Sequence, residues 1–386
     1  APYRWFIVLL CALTANVVIA IPSMALTVLF EEIANDIQLS LVQVGLVWGV
    51  SSLTGLLFGL LGGVLGDRIG PRRLLVLSCV MIGVMGGSRG LATDFYTFMV
   101  TSFLLGLFLP GAGVSLHKIA SEWFTSAQLG LANGIISTGF ASGYLLGAAA
   151  AASLLSPWLG GWRNVFFFLG GLTLFIAALW FWAYPGINHQ TDGSASLLAQ
   201  LPRVMKNRNV WLIALGKLGF WGCIRGFSGD LPLFLRAQGW APNLADQTLA
   251  LFFTLSLFGA IPIPALSDRI GRRKPFLLVA NLMIGLSVWL MASGSTVWVF
   301  VAVATSGIWF DAVMGISITT VADTKGIGPA LAGTAVGFLF AVQEVGGILS
   351  PPIGNRLALI NPAYAFFFWG ALALIGMIFF ALYRQE

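Results

Sequence analysis

Long apolar runs broken by short polar segments fill this chain from end to end. A helix crosses a bilayer with about 20 apolar residues, because in lipid every backbone N–H and C=O must bond within the helix. Twelve such runs fit, near 5–30, 41–66, 74–92, 95–120, 129–153, 163–184, 209–236, 244–266, 275–293, 296–322, 331–357 and 363–383. The longest polar stretch, 185–208, follows the sixth run and leaves six on either side. The pattern predicts an all-α membrane protein: twelve transmembrane helices in two six-helix bundles, 1–184 and 209–386, joined by a linker at 185–208. A short amphipathic helix is expected inside the linker around Leu197–Val204.

The halves repeat one another. Gly63-Val-Leu-Gly-Asp67-Arg68-Ile-Gly70-Pro-Arg72-Arg73 between the second and third runs returns as Pro264-Ala-Leu-Ser-Asp268-Arg269-Ile-Gly271-Arg272-Arg273-Lys274 between the eighth and ninth. Asp67 and Asp268 are 201 positions apart, about half the chain. Leu131-Ala-Asn-Gly134 and Leu331-Ala-Gly-Thr334 agree at an offset of 200. Duplicated membrane halves with one charged hairpin each are the build of a secondary transporter.

Composition strengthens the membrane assignment. The chain is 58% apolar and 9% charged, against roughly 25% charged in soluble domains. Its net charge of +6 does not point to nucleic acid. Fourteen of the 20 basic residues fall at one set of helix ends and four at the other, the positive-inside bias that places both termini in the cytoplasm. Cys11, Cys79 and Cys223 lie scattered in apolar runs and fit packing rather than a disulfide framework or a metal site. The first run is long enough to span and lacks a leader-type cleavage pattern. No nucleotide-binding loop of the G-x4-G-K-[ST] type is present.

The loop Gly63–Arg73 with its copy at 264–274, the helix count and the charge bias together resemble the major facilitator superfamily over essentially the whole length. Gly106-x3-Pro110, Glu122-Trp-Phe124 and Gly130-Leu-Ala-Asn-Gly134 are similar to the anion-transporting branches: organic anion symporters, oxalate/formate-type exchangers and nitrate-type porters. The resemblance implies alternating access and a cytoplasmic gate made by Gly63, Asp67, Arg68, Gly70, Arg72, Arg73, Asp268, Arg269, Gly271, Arg272 and Arg273. The bland alternative for these loops is a purely topogenic basic cluster. Several branch features are missing: Ser102 stands where many proton-coupled members carry arginine, the fifth-helix signature of drug antiporters is absent from 134–150, and neither 41–66 nor 244–266 has a membrane-depth arginine. The branch stays open.

Charges at membrane depth carry the functional signal, since each costs a few kcal/mol unless paired or hydrated. Lys217 and Arg225 lie on the seventh helix, about 12 Å apart along its axis, Asp311 on the tenth and Glu344, beside Gln343, on the eleventh. The repeat offset sets Asn16 and Tyr144 at the depths of Lys217 and Glu344 in the first half. In a two-half transporter the substrate site lies at the midplane. The expectation is a small anion, a carboxylate, bound by Lys217, Arg225, Asn16, Tyr144 and Gln343, with Glu344 or Asp311 carrying a proton. The rival reading has the four charges permanently paired as helix ties. Asp230 and Arg236 are read as outer rim residues.

The sequence therefore predicts proton-coupled uptake of a small organic anion. Its partners are the anionic substrate, protons and the lipid bilayer, with no nucleic acid, no cofactor, no metal and a monomeric state, in the cytoplasmic membrane of a prokaryote. The alternative is export or exchange of an amphipathic compound, drug or lipid. An intramembrane enzyme is disfavoured because both histidines, His117 and His189, fall outside membrane depth and the cysteines sit on separate helices; a non-transporting receptor of the same fold is the remaining class.

Overall fold

The computed structural model describes residues 2–124, 126–183 and 197–384, apart from the side chains of residue 2, 59–68, 126–127, 129–130, 197–199 and 328–330. All regular structure among the described residues is helical. Twelve helices are long and apolar enough to span a membrane. The first unit's helices are α1 Tyr3–Asp36, α2 Leu41–Ile69, α3 Pro71–Leu91, α4 Phe95–Trp123, α5 Leu131–Leu159 and α6 Trp162–Ala183. A short helix α7, Leu197–Met205, follows. The second set is α8 Arg208–Ala237, α9 Pro242–Ile270, α10 Lys274–Met291, α11 Thr296–Ala322, α12 Leu331–Ala358 and α13 Pro362–Leu382. Each expected span has its helix, and α7 falls where the amphipathic pattern in the linker puts it; the linker's first part, 185–196, lies outside the described residues.

The chain divides into two compact units, one of residues 1–39 and 57–194, the other of 40–56 and 195–386. The N-terminal half of α2 thus packs with the second unit, whereas the sequence pattern alone assigns all of 1–184 to one bundle. The reason is local. Gly45 and Gly49 let the α2 backbone approach α12, where a Cβ on Gly49 would lie 2.9 Å from the Ile348 carbonyl oxygen. Asn355 Nδ2 donates to the Leu41 carbonyl at 2.9 Å.

Within the first unit, α1 and α5 meet through a small-residue stripe. A Cβ at Gly139 would come 2.3 Å from the Ala12 oxygen, and one at Gly147 2.6 Å from the Ile21 oxygen. Helices that share an apolar solvent gain little from hydrophobicity, so such backbone contact is what holds them. A π-turn, Ala15–Ala20, interrupts α1 just before Pro22, where proline supplies no N–H to the preceding turn.

Polar clamps close one end of the first unit. Glu32 accepts from the Ser156 hydroxyl at 2.7 Å and from the Trp162 N–H at 2.9 Å. Asp36 pairs with Arg163 at 2.8 Å, and Arg163 also donates to the Gly90 and Ala92 carbonyls. Nearby, Asp94 caps α4, accepting from the Thr97 N–H at 2.9 Å, and this bond holds its carboxyl below the usual range. A carboxyl depressed in the fold contributes stability above its unfolded pKa and loses it as pH falls through the folded value. Melting temperature should therefore fall between about pH 5 and pH 3 less steeply in Asp94→Asn than in the parent; identical slopes would discard the cap as a contributor.

Candidate functional site

The apolar interior of the second unit encloses Lys217. It is 0% exposed, and its Nζ donates to Ser317 Oγ at 3.0 Å and to Met314 Sδ at 2.8 Å, both on α11. The third N–H direction faces the Phe220 ring, 4.9 Å from Nζ. Phe220 stacks on Phe310, which meets Phe252 and Phe253, so the ammonium sits against an aromatic wall. No described carboxylate comes within 4 Å of it, although Asp311 and Glu344 are near enough to act on it through their charge.

Those carboxylates are held elsewhere. Asp311 Oδ2 accepts from Ser256 on α9 at 2.7 Å. Glu344 accepts from Trp221 Nε1 at Oε2 and from Gln343 Nε2 at Oε1, each at 3.2 Å, and faces the Ser52 hydroxyl. Gly55 stands directly against this side chain: a Cβ there would lie 3.3 Å from Glu344 Cγ. With N–H donors on both oxygens, Ser52 is the neighbour whose hydroxyl can either give or accept a hydrogen as the carboxyl changes state.

Arg225 is occupied by the N-terminal half of α2. Its Nη2 donates to Ser51 Oγ at 2.6 Å and to the Trp48 carbonyl at 2.8 Å, its guanidinium carbon lies 3.6 Å from the Trp48 ring centre, and Trp48 Nε1 donates back to the Arg225 carbonyl. Lys217 and Arg225 share a helix and make different hydrogen bonds, with Glu344 near enough to act on both through its charge. Asn16 and Tyr144 belong to the first unit. There Asn16 Nδ2 donates to Ser142 Oγ at 2.9 Å and Tyr144 lies beside Phe140, with ring centres 6.4 Å apart.

Around the loop motifs, Gly70 and Gly271 both adopt left-handed backbone, with φ of 84° and 72°, a conformation other residues reach only with strain. Arg273 ties its loop to α11: Nε meets Asp268 Oδ1 at 3.3 Å, and Nη1 donates to the Thr319 carbonyl and Asp323 Oδ2. Arg72 donates to the Phe181 carbonyl at 2.7 Å, while Arg73, Arg269 and Arg272 are exposed. The side chains of Gly63, Asp67 and Arg68 lie outside the described residues.

One charged pair escaped the sequence reading. Arg236, expected at the rim, donates to Asp246 Oδ1 at 2.6 Å, with only 9% and 2% of the two side chains exposed. Asp246 sits in the second turn of α9 after Pro242-Asn-Leu-Ala. A lone carboxylate in the opening turns of an otherwise apolar span was the available signal.

Duplicated halves, twelve spans and isolated charges inside the second unit define a secondary transporter of the membrane, not an enzyme. The chain belongs to the Major Facilitator Superfamily, which it matches over residues 8–351 and again over 238–386. It is 24% identical to the cis,cis-muconate transport protein of Acinetobacter baylyi, covering 100% of this chain and 95% of that one. It is 26% identical to a probable 4-methylmuconolactone transporter of Cupriavidus pinatubonensis, over 80% and 76% of the two chains. In fold it is similar to a bacterial homologue of the human lysosomal transporter Spinster, crystallised inward-facing and occupied, with a TM-score of 0.81 at 18% identity over 99% and 97% of the chains.

Proposed function

We propose that this protein takes up a small organic carboxylate together with a proton, by alternating access, across the cytoplasmic membrane of a bacterium. The observation that carries the reading is Lys217: a fully buried ammonium whose partners are a thioether, a hydroxyl and a ring. An ion desolvated in this way costs several kcal/mol, and the rival picture of four charges locked as ion pairs lacks the Lys217 pair it requires. The substrate carboxylate supplies the directly bonded partner that Asp311 and Glu344, acting on Lys217 only through their charge, do not. Muconate, the cargo named for the Acinetobacter relative, is a dicarboxylate, which favours the anion over an amphipathic cation. The basic bias of the helix ends supports cytoplasmic termini.

Glu344 is the proton carrier. Its carboxyl accepts from Trp221 and Gln343, bonds that a change of protonation must rearrange. Asp311, bonded to Ser256, is the second candidate. The test is uptake of labelled mono- and dicarboxylates, muconates included, into proteoliposomes under an inward proton gradient. Glu344→Gln should lose gradient-driven accumulation and keep substrate-for-substrate exchange. If no carboxylate moves, the carboxylate-uptake reading fails; if Glu344→Gln still accumulates substrate, the proton is carried elsewhere.

A further inference from the structure

Among the described residues, Arg89 in the first unit is a second buried cation with no directly bonded opposite charge. It closes α3 at the end opposite the Gly70–Arg73 loop and is 4% exposed. Its Nε has no hydrogen-bond partner, and its guanidinium lies over the Phe166 ring, 5.7 Å from the ring centre. No described carboxylate is within 4 Å of it. The acidic residues at that end are already engaged. Glu32 is taken by Ser156 and Trp162, and Asp36 by Trp162 and Arg163. Arginine cannot shed its proton to escape burial, so a charge-balancing partner has to come from outside the chain.

There is room for one. Arg89 borders a cavity between α1, α3, α4 and α6, walled by Pro22, Gly86, Leu105, Phe166 and Thr173. The space open to the centre of a water-sized sphere is about 10 Å³. That is at the lower limit for a single water, which restricts an occupant to one small monatomic species. Thr173, 1% exposed, adds a hydroxyl that can donate.

We propose that Arg89 and Thr173 form a resident site for a single halide ion, chloride under physiological conditions, which neutralises the guanidinium and sets the packing of α3 against α4 and α6. The site is separate from the proposed carboxylate pathway and does not depend on it.

The experiment is the thermal stability of the purified full chain in detergent at constant ionic strength, titrating sodium chloride or bromide against sodium gluconate. Halide should raise the melting temperature by about 2–4 °C at roughly ten times its dissociation constant. Arg89→Gln should abolish the rise and, in gluconate, be at least as stable as the parent, because a neutral side chain needs no counter-ion. Gly86→Ala keeps the cation and narrows the cavity; its Cβ would lie 3.1 Å from Leu105 Cδ1 and touch nothing else. It should shift the halide midpoint upward at least threefold. Bromide should give an anomalous peak beside Arg89 in crystals. A parent chain indifferent to halide, which is what a water in the cavity would produce, overturns the site. So does a halide response that survives both substitutions, or an Arg89→Gln chain destabilised equally in both salts.

Discussion

Lys217→Met is expected to abolish carboxylate uptake while leaving the protein as stable as the parent, or more so. The substitution replaces an ammonium with an apolar side chain of similar length beside Met314 and the Phe220–Phe310 stack. Removing a buried charge that has no directly bonded opposite charge relieves a desolvation cost, and the new thioether fills nearly the same volume. Loss of a charge-assisted bond to a bound anion costs roughly 3 kcal/mol, equivalent to about 100-fold in transport efficiency. The two readouts together separate the readings. A structural lysine would give up stability and spare transport; a substrate-binding one does the reverse. Uptake at parental rate in a folded Lys217→Met protein would remove the central residue of the proposal. Arg225 is a poorer probe, because its substitution also breaks the contacts to Trp48 and Ser51 that seat the N-terminal half of α2.

The second large effect concerns stability. Arg236→Met should cost about 3–5 kcal/mol, seen as a marked fall in melting temperature, because it strips Asp246 of its cation at a position where 2% of the side chain meets solvent. Substituting both residues, Arg236→Met with Asp246→Leu, should recover most of the loss, since a well-packed apolar pair replaces a buried ion pair at little cost. A double variant as unstable as the single one would mean that the pair does more than neutralise itself.

Much of the architecture could be read from the residues, for a physical reason. Lipid forces each crossing segment to be long, apolar and helical, so the twelve spans stand out from hydropathy alone. The Leu197–Met205 helix showed through its amphipathic spacing even inside a polar linker. The partners of the buried charges were harder. A repeat offset sets depth along a helix but says nothing of its rotation, and rotation decides that Lys217 meets Met314 and Ser317 rather than Asp311. The grouping of residues 40–56 with the second unit depends on Gly45 and Gly49 fitting α12, a shape match invisible to hydropathy. Arg236 was judged by its position near a helix end, and nothing in that position tells that Asp246 lies across from it.

The burial of Lys217 makes it a built-in chemical clock. An amine-reactive acylating reagent modifies a lysine only while its nitrogen can be reached, and here that nitrogen is shut behind phenylalanines and α11. Exposed lysines such as Lys206 and Lys325 take the label at once and serve as an internal standard for the reagent. The slow appearance of label at Lys217, followed by peptide mass, then reports how often its nitrogen becomes reachable, and a compound that changes that rate shows itself before its identity is known.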